Sequence, residues 1–77
     1  MNESNPGKKS LVPNHLLREE RERRNWTHKD VAEKINLPNP RTVGRWERGI
    51  SFPSPHYRRE LCLIFEKNAE ELGLVKR

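Results

Sequence analysis

The stretch Thr27 to Gly49, THKDVAEKINLPNPRTVGRWERG, constrains this chain more than any other, because it reads as two short helices joined by a tight turn. Thr27 is a favourable N-cap, and Asp30 stands three residues on, where its carboxylate can reach back in a T-x-x-D variant of the capping box. Val31, Ala32 and Ile35 then recur at helical spacing and give the helix one apolar face. Asn36 tolerates the left-handed conformation that ends a helix, and Leu37-Pro38 cannot continue it. The second helix is expected to take Asn39 as its cap and Pro40 at its first position, and to close at Gly49.

At about 100° per residue, Val43 and Trp46 fall on one side of that second helix, with Glu47 beside them. Arg41, Arg45 and Arg48 fall on the opposite side, with Gly44 between them. The helix therefore has a packed face and a cationic face that carries no acid. Arginines on a helix often form nothing more than a solvated surface; the second reading is a face built for a polyanion.

The charge balance favours a polyanionic partner: the 77 residues carry a formal +5, with a pI of about 9.9. Charge alone does not separate DNA from RNA or from an acidic membrane surface. Only 31% of the residues are hydrophobic, which is enough for one small domain with a small core. The single cysteine, Cys62, leaves no intrachain disulfide and points to a reducing cytoplasm. The longest apolar run, Leu61 to Phe65, is far too short to span a bilayer. The two lysines of Met1 to Ser10 have no apolar segment behind them, so they do not form a secretion signal. A cytoplasmic protein without membrane contact is expected.

Residues 1–10 are polar, contain Pro-Gly and have nothing to bury, and are expected to form a disordered arm. Lys8 and Lys9 are either idle there or touch a DNA backbone or minor groove. A helix is expected from about Asn14 to Arg24, starting at Pro13 or Asn14 and ending at Asn25. Leu17 and Arg21 lie four apart in it, so packing Leu17 inward draws Arg21 inward too. A buried guanidinium needs a partner. Glu47 is one; a glutamate on the same helix surface is the other. Arg18, Glu19, Glu20, Glu22 and Arg23 read as a solvated face, and Trp26 as an indole packed inward before the next cap. His28 and Lys29 occupy the first turn of the following helix, where a phosphate can be held; an exposed histidine with no role is the competing reading of His28.

After Gly49 the chain crosses in a loop to a helix over about residues 56–66, with Phe52 entering the core, Ser54 as cap and Pro55 opening the helix. Tyr57, Leu61, Ile64 and Phe65 form its apolar stripe. Asn68 and Glu71 have capping spacing, Gly73 stops the last turn after Leu72, and residues 74–77 are expected to fray. The domain is thus expected over residues 11–73.

Two runs, Thr-x-x-Asp-Val-Ala (Thr27 to Ala32) and Thr-Val-Gly-Arg-Trp-Glu-Arg-Gly (Thr42 to Gly49), resemble the helix-turn-helix of the phage-repressor (Cro and repressor) family found widely in bacterial regulators. The resemblance covers roughly Asn14 to Leu72. The turn through Asn36 to Asn39 is one residue longer than the usual pattern, and Asn36 stands where the family often has glycine. The resemblance implies an all-α, compact four- to five-helix bundle whose second motif helix enters the major groove of double-stranded DNA. It favours an Arg21–Glu47 ion pair with a structural role. It also implies backbone contacts from His28, the residue after the cap, and from Ser51 in the loop after Gly49. Arg41 and Arg45 are the first candidates for base contacts, since arginine suits the O6/N7 edge of guanine, with Asn39 and Thr42 behind them. His28, Lys29, Arg48 and Ser51 are the candidates for phosphate contacts. A second copy is expected to complete a full DNA site, with Leu72, Leu74 and Val75 as contributors. The domain is similar to the amino-terminal modules of larger regulators, which implies further domains.

Enzymatic chemistry finds no support. His15, His28, His56 and Cys62 lack metal-ligand spacing, and no phosphate-cradling glycine loop or nucleophile triad is present. No cofactor or metal is expected. The surviving rival is a protein-interaction module on the same helices, against which Arg41, Arg45 and Arg48 stand where interfaces usually carry aromatic or aliphatic anchors. RNA is disfavoured because the narrow, deep A-form major groove does not admit such a helix.

Overall fold

A computed structural model of the protein describes residues 12–75. The expected arm, with Lys8 and Lys9, lies outside the described residues, as do residues 76–77 of the expected tail. Four helices follow one another: α1 His15–Arg23, α2 His28–Lys34, α3 Arg41–Arg48 and α4 Pro55–Phe65. No strand occurs among the described residues, and the chain closes in a turn over residues 69–73.

Local chemistry sets the helix ends. Asn14 caps α1 by accepting the Leu17 N–H on Oδ1 at 3.0 Å. Thr27 and Asp30 form a reciprocal capping box at α2: Thr27 Oγ1 accepts the Asp30 N–H at 3.0 Å, and Asp30 Oδ2 accepts the Thr27 N–H at 2.8 Å. Asn25 and Asn36, with φ of 59° each, turn the chain after α1 and α2, and the Leu37 N–H donates back to the Ala32 carbonyl at 2.8 Å. Pro40 has helical dihedrals just before α3, and Asn39 Oδ1 accepts the Arg41 N–H at 3.0 Å. Gly49 ends α3 at φ 79°, where a Cβ would collide with the Val12 carbonyl. Two expectations at α4 need correction. Ser54 sits at the cap but makes no side-chain cap bond, so Pro55 opens the helix by its fixed φ alone. The helix runs Pro55–Phe65 rather than 56–66, because Glu66 turns left-handed at φ 56°. Asn68 and Glu71 exchange bonds of 2.9 and 2.8 Å, and Gly73 turns at φ 66°.

Val31, Ala32, Ile35, Val43, Trp46, Leu61 and Phe65 are buried together with Leu17, Leu72 and Leu74, and Leu37, Phe52, Tyr57 and Ile64 pack against them. Trp26 also packs inward, its ring centroid 5.3 Å from that of Phe65. Both α1 and α2 pack on α3, which holds the motif helix from two sides.

Two residues lie deeper than their sequence suggests. Leu74, expected in the tail, is 2% exposed and its N–H donates to the Ala69 carbonyl at 2.8 Å, so the packed unit reaches past Gly73. Glu20, expected on the solvated face, is buried, because Arg24 turns back to hold it at 2.6 Å while Arg24 Nη2 donates to the Phe65 carbonyl at 2.7 Å. That hydrogen bond from Arg24 holds the Glu20 carboxyl below the usual carboxylate range. The clasp between the two ends of the described segment is Asn14. Its N–H donates to the Glu47 carbonyl at 2.7 Å and its Nδ2 to the carbonyls of Leu72 and Gly73 at 2.8 and 3.2 Å.

Candidate nucleic-acid interface

The inner face of α3 buries Val43, Trp46 and Glu47. Trp46 lies against Tyr57 of α4, ring centroids 5.8 Å apart. A buried carboxylate beside them requires compensation. Arg21, from α1, supplies it in a two-pronged pair: Nε to Oε2 at 2.6 Å and Nη2 to Oε1 at 3.1 Å, while Nη1 donates to the Trp26 carbonyl at 2.9 Å. Of the two partners the sequence offered for Arg21, the geometry selects Glu47; Glu22 stands farther off, at 3.8 Å. The side chains of Arg21 and Glu47 are 13% and 6% exposed, so water screens little of their attraction.

His28 joins this pair. Its Nε2 lies 3.1 Å from Glu47 Oε1, with the carboxylate accepting. The histidine is therefore not idle, and one of its nitrogens is committed inward. A phosphate could be met only through Nδ1, and only with a proton on it. The ring rests on Gly44. That glycine lies between the arginines, as the sequence placed it, and lines the same groove; the covering ring leaves it buried, and a Cβ there would meet His28 Cε1 at 3.2 Å and Arg48 Nη1 at 3.4 Å. A glycine inside a helix of better helix formers was the available signal of such a close approach; the identity of the neighbour was not readable.

The outer face of α3 is different. His28, Arg41, Gly44, Arg45 and Arg48 line one open groove of about 420 Å³. Arg18, Arg21, Arg23 and Arg24, on α1 and its cap, all pair with carboxylates. Among the described residues no carboxylate pairs with Arg41, Arg45 or Arg48, although Glu47 belongs to the same helix. Its inward orientation removes the only acid of α3 from the cationic side.

The other candidates fall outside this groove. Lys29 is exposed on the first turn of α2. Asn39 is exposed at the start of α3 with Oδ1 occupied by the Arg41 N–H, which leaves its Nδ2 for another partner. Thr42 is half-buried. Ser51 is exposed beyond Gly49, where its N–H donates to the Arg45 carbonyl at 3.4 Å. No group of His, Cys, Asp and Glu capable of holding a metal occurs among the described residues, and no helix there is long and apolar enough to cross a membrane.

A family model described as a helix-turn-helix domain matches residues 15–72, about three quarters of the chain. No curated protein and no solved structure matches it.

Proposed function

The chain belongs to the helix-turn-helix domain family, and from that premise we propose that it binds double-stranded DNA sequence-specifically as a phage-repressor-type transcriptional regulator, or as the DNA-binding module of one. The observation that carries this reading is the triad Arg41, Arg45 and Arg48, which shares one groove and has no carboxylate partner among the described residues, while the arginines of α1 are neutralised. Uncompensated guanidinium groups on one helix face suit phosphates and guanine edges.

In this reading α3 lies in the major groove. Arg41 and Arg45 reach base edges, with Asn39 and Thr42 beside them. Arg48, Lys29, Ser51 and His28 hold phosphates, and contacts of that kind fix the register without reading sequence. The Arg21–Glu47–His28 network sets the seating of α3 against α1 and α2. The protein acts without enzymatic chemistry, in the cytoplasm. The rival reading, a protein-interaction module, would place an unneutralised cationic groove at an interface, where charge is usually depleted.

Titration of duplex binding against salt tests the proposal. Affinity should fall steeply and linearly in log–log form, and Lys29→Ala should lower the slope by about one while weakening all sequences alike. Binding that ignores salt would exclude the phosphate contacts.

A further inference from the structure

His28 stands where two open grooves meet. One, of about 420 Å³, is the arginine groove of α3; the other, of about 550 Å³, runs toward α1 and is lined there by His15, Arg18 and Glu22. His28, Gly44 and Arg48 line both. Above Gly44, the position that a Cβ would take lies 3.6 Å from His28 Nδ1 and 3.4 Å from Arg48 Nη1, so the two nitrogens flank one spot. The inner nitrogen of the ring is committed: Nε2 lies 3.1 Å from Glu47 Oε1, an oxygen that also accepts from Arg21 Nη2. An ionised carboxylate only accepts, so a neutral His28 keeps its one proton on Nε2 and has none on Nδ1. In that state Nδ1 is an acceptor and turns a bare lone pair to any phosphate oxygen. A second proton reverses this, because an imidazolium donates from Nδ1 without releasing Glu47.

We propose that His28 makes duplex binding proton-linked: the chain takes up a proton at Nδ1 as a phosphate oxygen docks beside Arg48, and affinity rises as pH falls. This linkage rests on the DNA-binding reading, whose His28–phosphate contact it makes conditional on protonation. The charges around the ring supply the coupling. From α3, Glu47 attracts the second proton, while Arg48 beside the ring and Arg41 and Arg45 across the groove repel it. From α1, Arg21 is paired with Glu47 and Arg18 with Glu22, and His15 lies across the second groove. On α2 itself Lys29 comes next, and the Asp30 carboxylate is turned back to the Thr27 N–H. Five arginines and only two glutamates line the two grooves together, so the ring of the free protein faces an excess of positive charge. A docked phosphate offsets that excess and accepts the Nδ1 proton. Proton and phosphate therefore stabilise one another, and each raises the affinity for the other by the same factor.

The test is the affinity of the full chain for a mixed-sequence duplex at constant ionic strength, from about pH 8 to about pH 5, the range in which imidazoles titrate. Phosphate contacts do not depend on sequence, so no operator is needed. The parent should gain at least about fivefold across the range. His28→Gln, whose amide carries a donor at every pH, should give a nearly flat profile. His15→Gln, across the second groove, and His56→Gln, on α4, should keep the parent's profile and so separate His28 from the general gain in positive charge. Calorimetry of the parent in two buffers of different ionisation enthalpy should show proton uptake on binding, absent from His28→Gln. Circular dichroism checks that each variant keeps its helices across the range. A parent that binds with a flat profile, or a His28→Gln profile as steep as the parent's, would overturn the linkage and leave DNA binding standing. No binding by the parent at any pH would overturn the DNA-binding reading and the linkage with it.

Discussion

Arg21 and Glu47 meet through two hydrogen bonds at the back of α3, at 2.6 and 3.1 Å, and His28 brings a third to the same carboxylate. That arrangement has two consequences. It locks α3 to α1 and α2 through a nearly dry contact, and it turns the one acid of α3 away from its arginines. Folding and the presentation of charge therefore depend on the same residue.

Removing one partner of this pair should unfold the protein readily. Arg21→Ala leaves Glu47 buried with only His28 to face, and should cost about 3–5 kcal/mol by urea unfolding. Arg21→Met with Glu47→Leu removes both charges and should cost less than the two single substitutions together. A loss below about 1 kcal/mol for Arg21→Ala would show that the pair is screened as surface pairs are.

The two glycines of the motif region should respond unequally to alanine. At Gly49 the φ of 79° and the Val12 carbonyl leave no room, so Gly49→Ala should destabilise by about 1–2 kcal/mol or more. At Gly44 the added methyl meets a histidine side chain that is 40% exposed and can swing outward. The helix-propensity gain of about 1 kcal/mol then offsets the crowding. Thermal unfolding of Gly44→Ala should change little, while the His28–Glu47 contact is lost; a chemical shift change of the His28 ring would report it.

Acid should release two of the local devices. The Thr27 backbone N–H holds the Asp30 carboxyl below its usual range, and Arg24 does the same for Glu20. A depressed carboxyl stabilises the fold above its unfolded value, about pH 4, and that contribution is lost as pH falls through the folded value. Asp30→Asn and Glu20→Gln should each melt below the parent at pH 7, with the difference closing as pH falls below about 4 and through the depressed folded values. A difference that persisted unchanged into acid would mean that the charged form contributes nothing.

What could be read from the sequence was local. Thr27 with Asp30, Asn68 with Glu71, the left-handed Asn25 and Asn36, and Pro55 all act within a few residues, and the structure uses each of them at the expected end. The apolar stripes of α2, α3 and α4 were legible from period alone. What escaped depends on residues far apart in the chain. Asn14 reaches Leu72 and Gly73, Arg24 reaches the Phe65 carbonyl and so buries Glu20, and Leu74 returns to the core. His28 and Glu47 meet across nineteen positions, a pairing that no spacing rule for one helix can supply.

The arginines of α3, which pair with no carboxylate among the described residues, should read DNA. Selection from a randomised duplex library at near-physiological salt, run in parallel on the parent chain and on Arg45→Ala, tests it most directly. The parent should enrich a guanine-containing motif, and Arg45→Ala should lose about 1–3 kcal/mol on it and relax the preference at one base pair. No enrichment by the parent, or a variant that weakens every sequence equally, would contradict base reading by this helix.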